Sequence, residues 1–412
     1  MNELYEKDPE GELYYYYLLS NCLNIGVKTY RSFLNYFESP KKMFLAGDEK
    51  RAASGVFSSG QLATIRKVLN EGDKLSDYKK MKGLGINYIC LEDILFPEKL
   101  KRIHDCPIGL FYIGRIPFKN VGSIGLIGAR ECSFYGEEMA REIGSCLGDY
   151  NLQVISGMAR GVDAIGQTAC LDAGGLSFAV LGGGVDICYP RESRKLYERL
   201  SQCGGIISEY PPGVKPQGMY FVRRNRIISG MSDLVCVVEA RKKSGTLITV
   251  DCALEQGKDV VAVPGKVTDI TSRGCNELIA QGARILSDVD EFASECAQTY
   301  GSLSDLDGAF LRPVAIKTDD GIKDGETYGM NIAKEGLNSL QKELIMILSE
   351  DSFNVADKVL LLECDYGSLL IECLDLCDKK IMINMGAGRF RLSSLGISLR
   401  EQVQKLGISK NN

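Results

Sequence analysis

Short apolar runs alternate with helical patterns across the middle of the chain, from about residue 122 to residue 288. The runs predict strands at 123–127, 153–155, 177–181, 205–208, 234–238, 260–263 and 284–286. The patterns between them predict helices at 135–147, 161–173, 191–202, 246–256 and 276–281. Apolar strands that alternate with helices form a parallel sheet that helices cover on both faces. The alternation therefore predicts an α/β fold with a Rossmann-like, doubly wound and mostly parallel sheet.

The segments on either side of this region have different patterns. Residues 1–105 carry apolar positions at helical spacing around glycine turns, which predicts a helical module of SAM or helix-hairpin-helix type. Residues 106–296 hold the Rossmann-like domain, and residues 297–336, which are rich in Gly, Asp, Ser and Lys, are predicted to be a linker. Residues 337–412 contain predicted helices at 340–348, 357–362 and 368–377 and a predicted hairpin of 381–385 and 389–392. Three helices and a hairpin are typical of a winged-helix-like domain.

Composition narrows the class of protein. The 412 residues carry a formal net charge of −5, so a nucleic acid would have to be bound by a local positive surface rather than by the net field. No apolar run is long enough to span a bilayer and the N-terminus lacks a signal-peptide pattern, so we expect a cytoplasmic protein without membrane contact. The 15 cysteines form no C-x-x-C pair, and the single histidine, His104, cannot complete a metal site with them. We therefore expect reduced thiols, no metal and no cofactor.

Glycine-rich loops follow most of the predicted strands. They include Gly128-Ala129-Arg130, Ser156-Gly157-Met158-Ala159-Arg160-Gly161, Gly182-Gly183-Gly184, Lys242-Lys243-Ser244-Gly245-Thr246 and Pro264-Gly265-Lys266. The carboxyl ends of parallel strands share one edge of the sheet, and ligands bind there. Glycine lets the backbone approach a ligand closely, and helix N-termini present free N–H groups to anions. The loops therefore predict an anion site. Because neither a G-x-G-x-x-G nor a P-loop pattern occurs, an extended phosphate chain fits this site better than one nucleotide.

Three arginines, Arg223, Arg224 and Arg226, lie within four positions of an otherwise apolar segment. Guanidinium groups match the geometry of phosphate oxygens, so arginines anchored on a packed element indicate a site for a phosphate-bearing ligand. Surface salt bridges on an amphipathic helix are an equally good explanation of this segment taken alone. Tyr220, Phe221 and Tyr189 are aromatic residues available near the arginines, and Tyr220 or Phe221 is the candidate to stack a base, with a place in the core as the alternative.

These motifs, in this order, closely resemble the DNA-processing protein A family (DprA, also called Smf). The matching stretches are 128–130, 156–163, 181–186, 189–190, 208–213, 224–230, 244–249, 254–257, 263–265 and 272–276. The resemblance implies a non-enzymatic protein of the bacterial cytosol that binds single-stranded DNA. It also implies that the protein protects incoming strands during natural transformation and loads the RecA recombinase onto them. Family members pair as homodimers through the end of this sheet, which here carries Leu278 and Ile279.

The loops and the resemblance together give a set of predicted DNA-binding residues at the carboxyl edge of the sheet. The set comprises Gly128, Arg130, Ser156, Gly157, Arg160, Gly161, Arg223, Arg224, Asn225, Arg226, Ser244, Gly245, Thr246, Lys266 and Arg273.

Two alternatives stay open at the level of sequence. A Rossmann-like nucleotide phosphoribohydrolase would use a carboxylate such as Asp163, Asp186 or Glu209, although helix capping and arginine pairing explain these residues better. A regulatory interaction module would use the winged-helix-like domain to bind duplex DNA or a partner.

Overall fold

The computed structural model describes residues 11–23, 25–70 and 74–301, and beyond these residues 341, 344, 353–354, 366–378, 382–386 and 389–392. Contacts between residues divide these parts into a large unit, described as far as residue 301, and a small unit close to the C-terminus. Each unit contains its own sheet.

A nine-stranded sheet forms the centre of the large unit. Its strands are β1 (Asn87–Cys90), β2 (Gly109–Gly114), β3 (Ser123–Ile127), β4 (Gln153–Ser156), β5 (Leu176–Val180), β6 (Gly204–Ser208), β7 (Leu234–Val237), β8 (Asp259–Ala262) and β9 (Arg284–Ile285). Along the sheet they lie in the order β1-β2-β6-β5-β4-β3-β7-β8-β9. Strands β3 to β9 are parallel to one another, whereas β1 and β2 run antiparallel to their neighbours. The chain therefore winds in one direction from β3 to β6, and it continues on the opposite side of β3 from β7 to β9.

Helices precede, cover and follow this sheet. Those before β2 are α1 (Gly11–Ser20), α2 (Val27–Phe37), α3 (Pro40–Leu45), α4 (Asp48–Ala53), α5 (Ser59–Asn70), α6 (Lys74–Gly83) and α7 (Glu98–Lys101). Those after β3 are α8 (Phe134–Asp149), α9 (Val162–Asp172), α10 (Arg194–Cys203), α11 (Gly218–Met231), α12 (Gly245–Glu255), α13 (Arg273–Ala280) and α14 (Val289–Tyr300). Apolar residues of β3, β4 and β7 form one core with Ile143 and Leu147 of α8 and Phe292 of α14. This core holds the parallel strands rigidly, so their carboxyl ends have fixed positions.

The parallel sheet and its alternation with helices are confirmed. Each predicted strand of this region occurs, and its ends differ from the prediction by at most one residue. The predicted 191–202 helix divides into a 3-10 turn (Arg191–Ser193) and α10, and α13 begins earlier than its predicted start. The bounds of the strands are predicted better than those of the helices, because the buried apolar runs end in glycine or polar residues.

Strand β1 is not predicted by the sequence pattern, which indicates only helices before residue 105. Tyr88, Ile89 and Cys90 of this strand are buried, and β1 pairs along its whole length with β2. Strand β2 pairs in turn with β6, so both strands extend the Rossmann-like sheet. The expectation of helices alone is therefore wrong for residues 87–90, where pairing with β2 decides the conformation. The predicted boundary at residue 105 falls between two strands of one sheet.

The C-terminal predictions are described only in part. Helix α14, capped by the Asp288 side chain, reaches Tyr300, so the first residues of the predicted 297–336 linker are helical. The rest of that linker lies outside the described residues. So do the predicted helices at 340–348 and 357–362, apart from residues 341 and 344.

The small unit contains a helix and a hairpin at the predicted places. These are α15 (Tyr366–Asp378), β11 (Met382–Gly386) and β12 (Arg389–Leu392). A short strand that is not predicted, β10 (Phe353–Asn354), pairs with β12. These elements agree with part of a winged-helix-like pattern, and the assignment of the whole domain stays a prediction.

Candidate nucleic-acid interface

The carboxyl ends of the parallel strands form the edge at which the predicted loops meet. The loops after β3 and β7 flank the position where the direction of winding changes. Thr246 Oγ1 donates a hydrogen bond to the Gly128 carbonyl at 3.0 Å. Ser133 donates from its N–H at 2.8 Å and from its hydroxyl at 2.6 Å to the two oxygens of the buried Glu239 carboxylate. These bonds fix the two loops at the place where doubly wound sheets bind ligands.

The loop after β4 is held in one shape by buried contacts. The Asp163 carboxylate accepts hydrogen bonds from the backbone N–H groups of Gly157 at 3.1 Å and Ala159 at 3.4 Å. Gly161 has a φ of 72° and lies so close to the Ala129 carbonyl that a Cβ atom would collide with it. A residue other than glycine would therefore be strained at position 161 and would push the loops after β3 and β4 apart.

Arg224 lies beneath this loop rather than on its surface. Its side chain is buried, with 4% exposure, and its guanidinium group donates to the carbonyls of Gly157, at 2.9 Å, and Val180. Burial lowers the pKa of Arg224 to about 10, and the nearby carboxylate of Asp163 opposes this shift. Burial likewise raises the pKa of Asp163. The Nη1 atom of Arg224 is therefore directed at the backbone around the ends of β4 and β5, and the role of Arg224 as a DNA ligand stays a prediction.

Arg226 and Ser156, two further residues of the predicted DNA-binding set, are also buried. The Nε atom of Arg226 lies 3.0 Å from the Asp105 carboxylate, and Nη2 pairs with Glu209. The Ser156 hydroxyl donates to the Leu126 carbonyl at 2.6 Å. Nε and Nη2 of Arg226 and the hydroxyl of Ser156 are thus engaged within the protein, and the structure does not bring them to the surface of the interface.

An aromatic pair lies beside the loop after β3. The ring centroids of Tyr189 and Phe221 are 5.3 Å apart, and Tyr189 is 47% exposed. Arg130 lies over the Phe221 ring, with its Cζ atom 5.8 Å from the centroid, in the range of a cation–π contact. Tyr220, the other aromatic candidate, stacks on Tyr210 with centroids 4.2 Å apart. We refer to Arg130, Tyr189 and Phe221 together as the edge cluster.

The other members of the predicted set lie at different depths. The predicted residues with exposed positions are Arg130, Arg160, Arg223, Gly245, Lys266 and Arg273. The half-buried ones are Gly128, Gly161, Asn225, Ser244 and Thr246, and Gly157 is buried. Arg160 forms an ion pair with Glu192, which reduces its availability to a ligand. The structure thus brings the exposed basic residues to the loops and helix starts that follow β3, β4, β6 and β8.

Three basic residues that the predicted set omits lie in the loop after β7. Arg241, Lys242 and Lys243 are all exposed, and Lys242 pairs with Glu277 at 3.4 Å. Ser244 ends this loop as the N-cap of α12. Their signal in the sequence is a run of three basic residues shortly after an apolar strand, at the edge where ligands bind.

The three carboxylates of the enzymatic alternative are engaged within the protein. Asp163 binds backbone N–H groups, Asp186 accepts from the Gly213 N–H at 2.9 Å, and Glu209 pairs with Arg226. Glu209 thus braces an arginine as predicted, whereas Asp163 and Asp186 bind N–H groups of loops and cap no helix. Among the described residues no cluster of three or more His, Cys, Asp or Glu could hold a metal ion. In the same parts of the chain, no helix is long and apolar enough to cross a membrane.

Known proteins match this fold and sequence. The family model described as DNA recombination-mediator protein A matches residues 87–297, from β1 into α14. The DNA processing protein DprA of Streptococcus pneumoniae is 36% identical over 203 residues, which make up 49% of this chain and 72% of that protein.

Two solved structures are similar as well. The X-ray structure of DNA processing protein A from Streptococcus pneumoniae has a TM-score of 0.60 at 30% identity, and the match covers 69% of this chain and 98% of that one. A structure that concerns the single-stranded DNA binding mode of DNA processing protein A from Helicobacter pylori has a TM-score of 0.47 at 27% identity. That match covers 52% of this chain and 97% of the Helicobacter chain.

The family model covers the nine-stranded sheet and the loops of the candidate interface. The Streptococcus protein is matched over most of its own length, both in sequence and in fold. The chain therefore belongs to the DNA recombination-mediator protein A family.

Proposed function

We propose that the protein binds single-stranded DNA along the carboxyl edge of its parallel sheet and catalyses no reaction on it. The observation that carries the proposal is the edge cluster, in which Arg130 lies over Phe221 beside the exposed ring of Tyr189. A guanidinium group can bind a phosphate while an exposed ring stacks a base, and proteins that bind single strands combine these two features.

Exposed basic side chains on separate loops give the strand a path along this edge. They are Arg130 after β3, Arg223 on α11, Arg241 and Lys243 after β7, and Lys266 after β8. Because the net charge of the chain is −5, attraction of a polyanion depends on this local surface. In this proposal Arg224 is a positioning residue, which fixes the loop after β4 without touching the strand.

A single strand is expected to bind more tightly than a duplex of the same sequence at matched salt, because paired bases offer no free faces to Tyr189 and Phe221. Affinity should fall steeply with added salt, since phosphate neutralisation releases counterions. Gel-shift titrations with one oligonucleotide and its duplex, at a low and a moderate salt concentration, measure both effects. Equal affinity for the two ligands would contradict the proposal.

Protection of incoming strands and loading of RecA during natural transformation belong to the same proposal and rest on the family resemblance. Both roles need a protein that already holds a single strand, so both depend on the interface described above. The cytosol is the compartment in which such a strand and the recombinase would meet the protein.

A homodimer is a further part of the proposal. Strand β9 ends the sheet next to β8, and Ile285 on this strand is 47% exposed. Ile279, on the neighbouring α13, is half-buried, whereas Leu278 is buried. An edge strand with an exposed apolar residue can pair with a second copy. Two linked binding sites would also raise the affinity for long strands without new contacts.

Light scattering of the full chain at micromolar concentration is expected to give the mass of a dimer. Ile279→Lys should shift the mass to that of a monomer, because the charge would have to be buried in the contact. Leu84→Lys adds the same charge at an exposed leucine after α6 and should leave the mass unchanged. A monomer mass for the unmodified chain would refute this part of the proposal.

A further inference from the structure

A cavity of about 220 Å³ lies between the helices that precede β1 and the segment that follows β6. Its lining includes Leu19, Cys22, Leu23, Lys28, Asp105, Glu209, Tyr210, Arg223 and Arg226. Leu23 and Lys28 are exposed, so they lie at its mouth, whereas Arg226 and Tyr210 are buried. We refer to this space as the side cavity. It shares Arg223 with the candidate interface but contains no residue of the edge cluster.

Helix α11 presents Arg226 to the side cavity and Phe221 to the strand-binding edge, while the exposed Arg223 borders both. Arg223 and Arg226 are three positions apart, lie on one face of the helix and line the side cavity. Phe221 and Arg224 are also three positions apart and lie on another face, where Phe221 contacts Tyr189 and Arg224 binds the loop after β4. The arginine run therefore serves two separate places, and phosphate binding at the edge does not explain Arg226.

The side cavity contains a hydrogen-bond donor and an acceptor without partners. Arg226 uses Nε for Asp105 and Nη2 for Glu209, but among the described residues its Nη1 atom has no hydrogen-bond partner. The second carboxylate oxygen of Glu209, Oε1, has none within hydrogen-bond distance either, and the same holds for the hydroxyl of Tyr210, which also lines the cavity and interacts with Glu209. Arg226 is only 7% exposed, so these unmet bonds are costly unless a bound molecule supplies them. A suitable molecule must offer an acceptor to Arg226 and a donor to Glu209.

The lining limits what that molecule can be. Lys28, Arg223 and Arg226 line the cavity together with Asp105 and Glu209, so charge alone does not select the ligand. A fully ionised phosphate offers only acceptors and cannot donate to Oε1 of Glu209, which favours a molecule that carries both a donor and an acceptor. The cavity is smaller than the roughly 300–1,000 Å³ of pockets that hold drug-sized ligands, which leaves room for one small ring system. The edges of nucleobases carry donor and acceptor atoms side by side, and their faces are compatible with apolar walls such as Leu19 and Cys22.

We propose that the side cavity binds one neutral nucleobase through Arg226 and Glu209. The base can belong to a strand held at the interface, which Arg223 would connect to the cavity, or to a free nucleoside. The chemistry of recognition is the same for both sources. The first source rests on the proposed function, and the second does not.

Saturation-transfer difference NMR of the full chain tests the proposal without depending on strand binding. The probes are guanosine, adenosine, cytidine and uridine, with ribose 5-phosphate as a compound that lacks a base. Saturation of base protons is expected for at least one nucleoside, with none for ribose 5-phosphate. Absence of a signal from all four nucleosides, together with unchanged strand affinity in the variants below, would overturn the proposal.

Two substitutions at the mouth fill the cavity without touching its buried charges. Leu23→Trp and Lys28→Trp should each weaken nucleoside binding by at least tenfold, because the indole would occupy the volume of the base. Leu69→Trp, at an exposed leucine on α5 outside the lining, is the matched control and should bind as the unmodified chain does. Circular dichroism checks that each variant is folded. Unchanged nucleoside binding in both mouth variants would place the nucleoside elsewhere and overturn the proposal.

A single-stranded oligonucleotide that contains 2-aminopurine distinguishes the two sources. If the base comes from the strand, Leu23→Trp should reduce both the strand affinity and the fluorescence change of the analogue. If the cavity takes only free nucleosides, Leu23→Trp should leave strand binding unchanged while nucleoside binding is lost. A chain that binds nucleosides but no strand at all would contradict the proposed function and leave the side cavity assignment standing.

Discussion

Arg224→Ala is expected to lower the free energy of unfolding by about 3–5 kcal/mol, the range for removal of one member of a buried charged pair. The substitution removes hydrogen bonds to the carbonyls of Gly157 and Val180 and leaves the buried Asp163 without its neighbouring positive charge. Strand binding should be lost together with stability, because the loop after β4 loses its support. Urea denaturation measures the free energy of unfolding. Gel shifts without denaturant, at a temperature well below the unfolding transition, measure the strand affinity.

The adjacent residue provides the control for this prediction. Arg223→Ala removes the same side chain from an exposed position on α11, so its stability should stay within about 0.5 kcal/mol of the unmodified chain. Its strand affinity should fall only moderately, since one contact among several is removed. If Arg224→Ala kept full stability and lost affinity alone, Arg224 would be a direct DNA contact, and the supporting role would be wrong.

Arg130→Glu is expected to weaken single-strand binding by at least about tenfold, since a charge-assisted contact contributes about 1.5–3 kcal/mol and the new carboxylate also repels phosphates. Arg130 is exposed, and its guanidinium group lies over the Phe221 ring. The substitution therefore leaves no buried partner without its contact, and the fold should be unchanged. The dependence of log affinity on log salt should become shallower by about one unit, as for the loss of one phosphate contact. Gel shifts at several salt concentrations measure both quantities.

Lys119→Glu is the matched control for this charge reversal. Lys119 is exposed and precedes β3, so it lies near the amino ends of the parallel strands, away from the candidate interface. Lys119→Glu changes the net charge by the same amount as Arg130→Glu does, and it should leave strand affinity nearly unchanged. Equal losses in the two variants would show that net charge, and not the edge cluster, governs binding.

The sequence predicts the sheet well because the buried strands are apolar runs that end in glycine or polar residues. It fails at β1, whose residues 87–90 form a strand because β2 offers them a partner distant in the chain. It also misses α14, which follows the last predicted strand and packs Phe292 and Cys296 into the core. Long-range pairing therefore explains the failure at β1, whereas α14 has local signals that the prediction did not use, namely the Asp288 cap and apolar residues at helical spacing.

The site shows a similar division. The sequence locates the loops of the carboxyl edge, because each loop follows a predicted strand. It does not distinguish Arg223, which is exposed, from Arg224 and Arg226, which are buried. Helix α11 turns consecutive side chains toward different neighbours, and the neighbours Asp163, from α9, and Glu209, after β6, are distant in the chain.

The pairing of β1 with β2, and of β2 with β6, determines where the protein can be cut. A truncated chain that began at residue 106 would keep β2 but lose its outer partner. The backbone N–H and C=O groups of β2, together with the buried side chains of Leu110 and Phe111, would then be open to other molecules. Such a fragment is expected to aggregate more than one that begins ahead of Asn87, which would keep β2 paired with β1.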